Sequence, residues 1–287
     1  MRGGIMILHS PSPIFIFIRN YCIPTIEKKR NFAPKLGGMR FIRIIEDIGH
    51  YVHLMKRVLT KPDKSLVLKR QFFVNVQSLG FDSIGIVAII SLFIGAVATI
   101  QVAYNIDNPL IPLSLIGFTA RQIIILEFSP TVVSLILAGK IGSRIASEIG
   151  TMRVTQQIDA LDVMGINSAN YLILPKILAS VFFNPILIVM SIAISLVGGW
   201  IVSLTTSLLT PHDYIEGIRL FFDGFTVFYA LIKTVVFAFI IASVSGFHGY
   251  RITGGAHEVG QASTRAVVDS SIAIIISNLI LTQLLLT

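Results

Sequence analysis

The sequence predicts an all-α polytopic membrane protein, and three observations support this fold class. Of the 287 residues, 54% are hydrophobic and 13% are charged, and the mean hydropathy of +0.80 lies outside the range of soluble domains. Apolar runs long enough to cross a bilayer recur along the chain. Basic residues collect at the ends of these runs. We expect an N-terminal interfacial amphipathic helix, five transmembrane helices, and a cytosolic helix between the second and the third.

Residues 1–38 carry no membrane-spanning signal. The apolar run at residues 14–18 is too short to span, and no small-residue cleavage site of a signal peptide follows it. Two interpretations stay open for this extension. Either the start is mis-called and Met39 is the true first residue, or a disordered basic tail precedes the structured domain. In both cases we expect that domain to extend over residues 39–287.

Residues 41–59 predict an amphipathic helix, because apolar side chains recur there at three- and four-residue spacing. These side chains are Phe41, Ile44, Ile45, Ile48, Val52, Met55 and Leu59. Basic residues lie between them and suit lipid headgroups. We therefore expect this helix to lie in the membrane interface rather than to span the bilayer.

Five spanning segments follow, at residues 81–104, 110–138, 171–208, 225–247 and 266–286. The hydrocarbon core requires about 20 helical residues, so each segment suffices. The third is long enough to tilt or to break near Gly198 and Gly199. No internal repeat is evident, so a second copy of the chain is the simplest source of symmetry.

The distribution of charge predicts the orientation. Cations precede the first span, follow the second, and lie between the fourth and the fifth. They are Arg40, Arg43, Lys56, Arg57, Lys61, Lys64, Lys69 and Arg70, then Lys140, Arg144 and Arg153, then Arg251 and Arg265. The opposite side carries Asp107, Asp213, Glu216, Arg219 and Asp223. By the positive-inside rule, the N-terminus and residues 139–167 are cytosolic and the C-terminus is outside.

Several classes of function are excluded by composition and motif. The net charge of +8 does not form the basic stripe of a nucleic-acid-binding protein. The single cysteine, Cys22, rules out an intramolecular disulfide and a multi-cysteine metal site. Gly139 and Lys140 are not a phosphate loop, because Ile141 replaces the required Ser or Thr. Motifs of zinc proteases and serine hydrolases are missing, so we expect neither ATP hydrolysis nor other catalysis by this chain.

Two charged residues fall inside predicted spans. Glu127 lies deep in the second span, where a carboxylate is costly unless it meets water, a partner or the bundle interior. Two roles stay open for it: a structural carboxyl or a polar point in a transport cavity. Lys233 lies within about two turns of the outer end of the fourth span, and we expect its side chain to snorkel to the surface. The alternative is a pairing with Glu127, which the spacing of the two residues does not itself support.

Other titratable residues cluster near the fourth and fifth spans. Asp269 is placed to cap its helix or to pair with Arg265 one turn earlier. His248 and His257 fall in a glycine-rich stretch, residues 246–260, which we expect to be a loop. Their separation matches no metal motif.

The polar stretch at residues 139–167 separates two long apolar segments. A small-residue stripe, which lets another helix approach closely, recurs at Ala138, Gly142, Ala146 and Gly150. Residues that share one face of a helix follow at Ile149, Met152, Gln156 and Ala160, with Arg153, Gln157 and Asp159 turned away. An ordinary solvated loop and a docking helix for a cytosolic partner both fit this pattern.

The run AGKIGSRIASEIGTMRVTQQIDAL, residues 138–161, resembles the signature of the MlaE family. Members of that family are permease subunits of ABC-type lipid transporters that work with MCE-domain proteins. The resemblance extends from Phe41 to the C-terminus. It includes FIG at 93–95, Glu127 with Pro130, LIKTVVFA from Leu231 and STRAVVDSS from Ser263. Relatives commonly carry Arg before the Glu, whereas this chain has Leu126, so any charge compensation for Glu127 must come from elsewhere.

The resemblance implies a homodimeric permease in the inner membrane of a diderm bacterium, moving phospholipid between the inner and outer membranes. It also implies a cytosolic ABC ATPase dimer, which uses ATP and Mg, and an MCE-domain lipid-binding protein; this chain itself would need no cofactor. The residues expected to couple to the ATPase are Glu148, Gly150, Met152, Arg153, Gln156, Gln157 and Asp159. The alternative is a secondary transporter for a hydrophobic or amphipathic solute.

We expect the first and second spans to form the walls of the lipid cavity. Phe93, Val97, Ile100 and Tyr104 share one face of the first span, and Glu127 is the polar position in the second.

Overall fold

The computed structural model describes residues 38–60, 65–106, 112–206 and 209–286. Within these ranges the chain is helical and has no β-strand. Five helical segments are long and apolar enough to cross a membrane: Leu66–Asn105, Ser114–Val154, Ser168–Thr205, Gly224–Tyr250 and Ala256–Leu285. The predicted all-α polytopic fold is therefore confirmed. The expectations for the N-terminal extension, apart from Gly38, and for Lys61, Lys64 and Asp107 lie outside the described residues.

The first described helix, α1 (Gly38–Val58), matches the predicted amphipathic helix. The chain divides into two units, residues 1–50 and 51–287. In the first unit, Ile45 and Ile48 are exposed. In the second unit, Leu54, Met55 and Val58 are buried, whereas Val52 and Leu59 are exposed. Of the stripe residues whose side chains the structure describes, all but Met55 are therefore exposed, as suits a helix in contact with lipid.

The first span consists of α2 (Ser65–Asn75), a π-helical turn (Val76–Phe81) and α3 (Asp82–Asn105). It begins well before the predicted residue 81. Lys69 and Arg70 are exposed and, as good helix formers, do not end the helix. The sequence pattern located the apolar part of the span but not its polar start.

The second span alternates between α-helical and wider π-helical turns. Its parts are α4 (Ser114–Ile123), a π segment (Ile124–Val132), α5 (Val133–Leu137), a second π segment (Ala138–Gly142) and α6 (Ser143–Val154). Pro130 lies inside the first π segment, where a residue without an amide proton disturbs the regular helical ladder. The helix continues far past the predicted end at residue 138.

After α7 (Gln157–Val163), the third span is the single helix α8 (Ser168–Thr205). It runs unbroken through Gly198 and Gly199, so the break, one of the two alternatives for this long span, does not occur. A side chain at Gly198 would collide with the carbonyl of Leu92 in the first span. The glycine is needed for close helix packing, and the hydroxyl of Ser91 strengthens that contact by donating to Ser191 at 2.7 Å.

The remaining helices are α9 (Pro211–Arg219), α10 (Gly224–Tyr250) and α11 (Ala256–Leu286). The fourth span is α10 and the fifth is formed by α11. Most of the stretch predicted as a glycine-rich loop is therefore helical. His248 lies in α10 and its Nε2 is 2.8 Å from Oδ2 of Asp269, so Asp269 pairs with this histidine rather than with Arg265.

A buried arginine holds α9 against the second span. Arg121 is 2% exposed, and its guanidinium donates to the carbonyl oxygens of Ile218, Leu220 and Phe221 at 2.6, 2.9 and 3.3 Å. These carbonyls lie at the end of α9, where the helix leaves acceptors without intrahelical partners. These hydrogen bonds give the buried guanidinium its acceptors, and they give the carbonyl groups at the end of α9 their donors.

Candidate functional site

An apolar pocket lies between the first and second spans. Its volume is about 300 Å³, and it is lined by Phe93, Ile94, Val97, Gln101, Phe128 and Val132. All of these side chains except Gln101 are apolar. The pocket therefore suits a hydrocarbon chain better than a polar solute.

The predicted cavity residues of the first span are only partly gathered by this pocket. Phe93 and Val97 line it and are 64% and 59% exposed. Tyr104 lies farther along the span and is 72% exposed, and Ile100 is half-buried. The three exposed side chains give the first span an open apolar stripe.

Sequence reasoning placed the second span in the cavity wall, but it did not select the residues of that span that line the pocket. Phe128 and Val132 line it, four residues apart on one face of the helix. Gln101 also lines it, four residues after Val97. The four-residue spacing was a usable signal, but the sequence does not show which face of the second span meets the first.

Glu127 does not line the pocket but is held by an ion pair within the membrane-spanning region. Its Oε1 lies 2.8 Å from Nζ of Lys233, and the same ammonium donates to the carbonyl oxygen of Leu126 at 3.2 Å. Lys233 is fully buried. The expectation that Lys233 snorkels to the surface is therefore wrong, because the half-exposed carboxylate of Glu127 offers its charge a nearer partner than the interface does.

The fifth span completes the environment of Glu127. Asn278 donates from Nδ2 to Oε2 at 3.0 Å, and Thr282 lies 3.4 Å from Oε1. The ring of Tyr229 covers the ammonium of Lys233 at 4.5 Å from the ring centre. The carboxylate thus joins the second, fourth and fifth spans, and the compensation that Leu126 could not provide comes from a different helix.

The small-residue stripe of the polar stretch is used within the chain. A side chain at Gly142 would meet Ser245, and one at Gly150 would meet Ile252 and Val259. Gly249 of the fourth span packs in turn against the backbone of Ala146. The stripe therefore allows close helix approach, as predicted, and the partner helices belong to the fourth and fifth spans.

The predicted amphipathic helix through Ile149 and Ala160 is interrupted. Gln156 adopts a left-handed conformation with φ of 59°, which ends α6 and starts α7 in a new direction. Arg153 Nη1 lies 2.6 Å from Asp159 Oδ1 across this bend. The two residues therefore pair with each other and do not form part of one continuous polar face.

The structure places the predicted coupling residues in different surroundings. Gln156, Gln157 and Asp159 are exposed, Met152 and Arg153 are half-buried, Gly150 is buried, and Glu148 is paired with Lys176 at 2.7 Å. Beyond them, α7 ends in two exposed apolar residues, Val163 and Met164, at 89% and 65% exposure. Sequence reasoning did not select these two, although they are an apolar pair inside a polar stretch.

These features define a multi-pass helical membrane protein with an apolar pocket between two of its spans. Among the residues that the structure describes, no group of three His, Cys, Asp or Glu side chains could hold a metal ion. The family model described as Permease MlaE matches residues 72–284. The chain belongs to the MlaE permease family.

Relatives named as ABC transporter permeases support this assignment. A probable ABC transporter permease protein from Rickettsia bellii is 34% identical over 259 residues, which cover 88% of this chain and 97% of the relative. A protein with the same description, slr1045 from Synechocystis, is 35% identical and covers 76% of this chain and 82% of its own. The protein Trigalactosyldiacylglycerol 1, chloroplastic, from Arabidopsis thaliana is 30% identical and covers 88% of this chain and 66% of its own.

Proposed function

We propose that this chain is the permease subunit of an ABC-type transporter that moves phospholipid between the inner and outer membranes of a diderm bacterium. A separate cytosolic ATPase dimer supplies the energy from ATP and Mg. An MCE-domain lipid-binding protein accepts or delivers the lipid on the outer side. The Arabidopsis relative is named after a glycolipid, which supports lipid as the class of cargo.

The observation that carries this proposal is the apolar pocket between the first and second spans. Its lining offers hydrocarbon contacts and a single amide, at Gln101. A secondary transporter would need ion sites on broken helices in repeated halves. The third span is unbroken, and Glu127 and Lys233 already satisfy each other. The geometry therefore favours lipid transport over an ion-coupled solute carrier.

A second copy of the chain closes the cavity in this proposal. Phe93, Val97 and Tyr104 form the exposed apolar stripe at 64%, 59% and 72% exposure. A two-fold dimer would place two such stripes face to face and enclose a space larger than the single pocket. Glu127, on the other side of the second span, then holds the cavity wall in position without touching the lipid chains.

Coupling to the ATPase is assigned to α7 and the residues around it. Val163 and Met164 form an exposed apolar tip, flanked by the exposed polar residues Gln157 and Asp159. The preceding helix α6 is continuous with the second span. The ion pair between Arg153 and Asp159 links α7 to α6 across the bend at Gln156, so movement of the tip would be transmitted through α6 to Phe128 and Val132 in the pocket wall.

The orientation in this proposal has the N-terminus and α7 in the cytosol and the C-terminus in the periplasm. The cations flanking the spans support it through the positive-inside rule. In this orientation the apolar tip faces the compartment that holds ATP. The short helix α9 and the acidic residues Asp213 and Glu216 face the MCE-domain partner.

Site-specific photo-crosslinking tests the cargo assignment. A benzophenone amino acid is placed at Phe93, in the pocket, or at Leu279, which is 68% exposed on the fifth span. Both positions should yield lipid adducts in the purified complex in phospholipid nanodiscs. Only the adducts at Phe93 should change in yield when the ATPase is trapped with ATP, because only the pocket takes part in transport. Equal, nucleotide-independent adducts at both positions would show that Phe93 contacts bulk lipid and would contradict the proposal.

A further inference from the structure

A second pocket lies near the start of the first span, between α2, α6 and the beginning of the third span. Its volume is about 530 Å³, within the range of about 300–1,000 Å³ typical of ligand sites. It shares no lining residue with the pocket at Phe93. Its key side chains are Leu66, Arg70, Val74, Asn75, Glu148 and Lys176.

Lys176 supplies a buried positive charge to this pocket. Its side chain is 4% exposed, and Nζ lies 2.7 Å from Oε2 of Glu148 and 3.2 Å from Oδ1 of Asn75. An ammonium group has three N–H donors. Within the part of the chain that the structure describes, two acceptors are present, so one donor is left for a ligand.

Arg70 supplies a second cation at the mouth of the same pocket. It is exposed, and among the described residues it has no hydrogen-bond acceptor or carboxylate partner. The planar guanidinium group matches the geometry of a phosphate through two parallel hydrogen bonds. Arg70 and Lys176 together outweigh the single negative charge of Glu148, so the pocket carries one net positive charge.

Apart from the polar side chains of Gln71, Asn75 and Tyr171, the remaining lining of the pocket is apolar. Leu66 and Val74 line it and are 79% and 59% exposed, and Val67, Leu172 and Met152 complete the apolar lining. A free phosphate would make no use of these surfaces. A molecule with a phosphate at one end and hydrocarbon at the other would use both.

We propose that this pocket binds the phosphodiester headgroup of an anionic glycerophospholipid from the cytosolic leaflet. The phosphate lies between Arg70 and Lys176, and the acyl chains leave past Leu66 and Val74 into the bilayer. The leaflet follows from the orientation proposed above, in which the start of the first span is cytosolic. This lipid site is separate from the cavity in which cargo is carried.

A lipid titration of the delipidated full-length protein, followed by native mass spectrometry at constant ionic strength, tests the site. The probes are dioleoylphosphatidylglycerol, dioleoylphosphatidylcholine and inorganic phosphate. Arg70→Gln should weaken binding of phosphatidylglycerol about tenfold, the effect of losing a charge-assisted hydrogen bond. The matched control is Lys69→Gln, which removes the same charge from the adjacent exposed residue and should change the Kd less than about twofold.

Lys176→Gln is the second variant, checked first for helical content and monodispersity; if it does not fold, the Arg70 comparison decides. Selective loss of phosphatidylglycerol in Arg70→Gln supports the proposal. Equal effects of Arg70→Gln and Lys69→Gln would overturn it, as would equal affinity for phosphatidylcholine. Binding of inorganic phosphate as tight as that of the lipid would also overturn it. Lipid held in the Phe93 pocket should be insensitive to Arg70→Gln, so failure here leaves the transport proposal standing.

Discussion

Lys233 and Glu127 form the ion pair that joins the second and fourth spans. Lys233 is fully buried, whereas the carboxylate side chain is 40% exposed. Removing one partner leaves the other charge unpaired in a medium of low dielectric. We expect Lys233→Met to lower the free energy of unfolding by about 2 kcal/mol, less than for a pair buried on both sides. Unfolding by SDS in mixed micelles measures this change.

The double variant Glu127→Leu, Lys233→Met is the informative control. It removes both charges, so it should recover most of the stability lost in Lys233→Met. Additive losses would show that the two side chains do not stabilise each other.

Glu127→Gln keeps the hydrogen bond from Asn278 and should keep transport, because the carboxylate supports the wall and does not line the pocket.

We expect Tyr214 to make the stability of the fold depend on pH. Burial raises the pKa of Tyr214 to about 12, and its hydroxyl donates to the carbonyl oxygen of Leu196 at 3.0 Å. The fold favours the neutral phenol, so this stabilisation is complete below the unfolded pKa of about 10 and is lost as the pH rises toward 12. The melting temperature should fall over this window, and less steeply in Tyr214→Phe. Tyr104→Phe, at a side chain that is 72% exposed, should leave the profile unchanged.

Among the helices, the contact between the first and third spans depends on glycine. A Cβ at Gly95 would collide with the backbone carbonyl of Ser195, whereas a Cβ at Gly85 in the same helix would meet open space. Gly95→Ala should therefore lower the free energy of unfolding by about 1–3 kcal/mol, the usual cost of overpacking. Gly85→Ala should be at least as stable as the parent, since alanine favours the helix. Equal stability of the two variants would contradict the close packing.

The exposed apolar pair at the tip of α7 is the proposed contact with the ATPase. Val163→Asp with Met164→Asp places charge on the exposed apolar pair without touching any span. We expect ATP hydrolysis by the complex to continue while lipid movement in proteoliposomes falls at least about tenfold, which corresponds to about 1.4 kcal/mol of lost coupling. Val163→Ile with Met164→Leu keeps both exposed side chains apolar and should leave transport intact. Normal transport in the α7 variant would remove the tip from the coupling mechanism.

For the whole molecule, the orientation is directly testable with cysteine labelling. Cys22 is the single native cysteine, so Cys22→Ala provides a clean background. Gln157→Cys and Glu216→Cys each introduce an exposed thiol, one in α7 and one in α9. A membrane-impermeant maleimide should label position 216 in intact spheroplasts and position 157 only after permeabilisation. The reverse pattern would invert the topology and place the apolar tip away from ATP.

The sequence was sufficient for the fold class and for the number of spans. Apolar length is a property of each segment by itself, so composition along the chain located five crossings without knowledge of their packing. The stripe Phe93, Val97 and Tyr104 was likewise readable from spacing within one helix. Helix ends were less accurate, because Lys69 and Arg70 are as compatible with a helix as with its flank.

Only the tertiary structure decided what each helix face meets. Lys233 and Glu127 are 106 residues apart, and no local pattern indicates that they pair. The stripe through Gly142 and Gly150 predicted close approach but not that the partner lies in the same chain. The position of Phe128 and Val132 in the pocket likewise depends on which face of the second span packs against the first. Helical periodicity defines a face, whereas the identity of its neighbour depends on long-range packing of several helices at once.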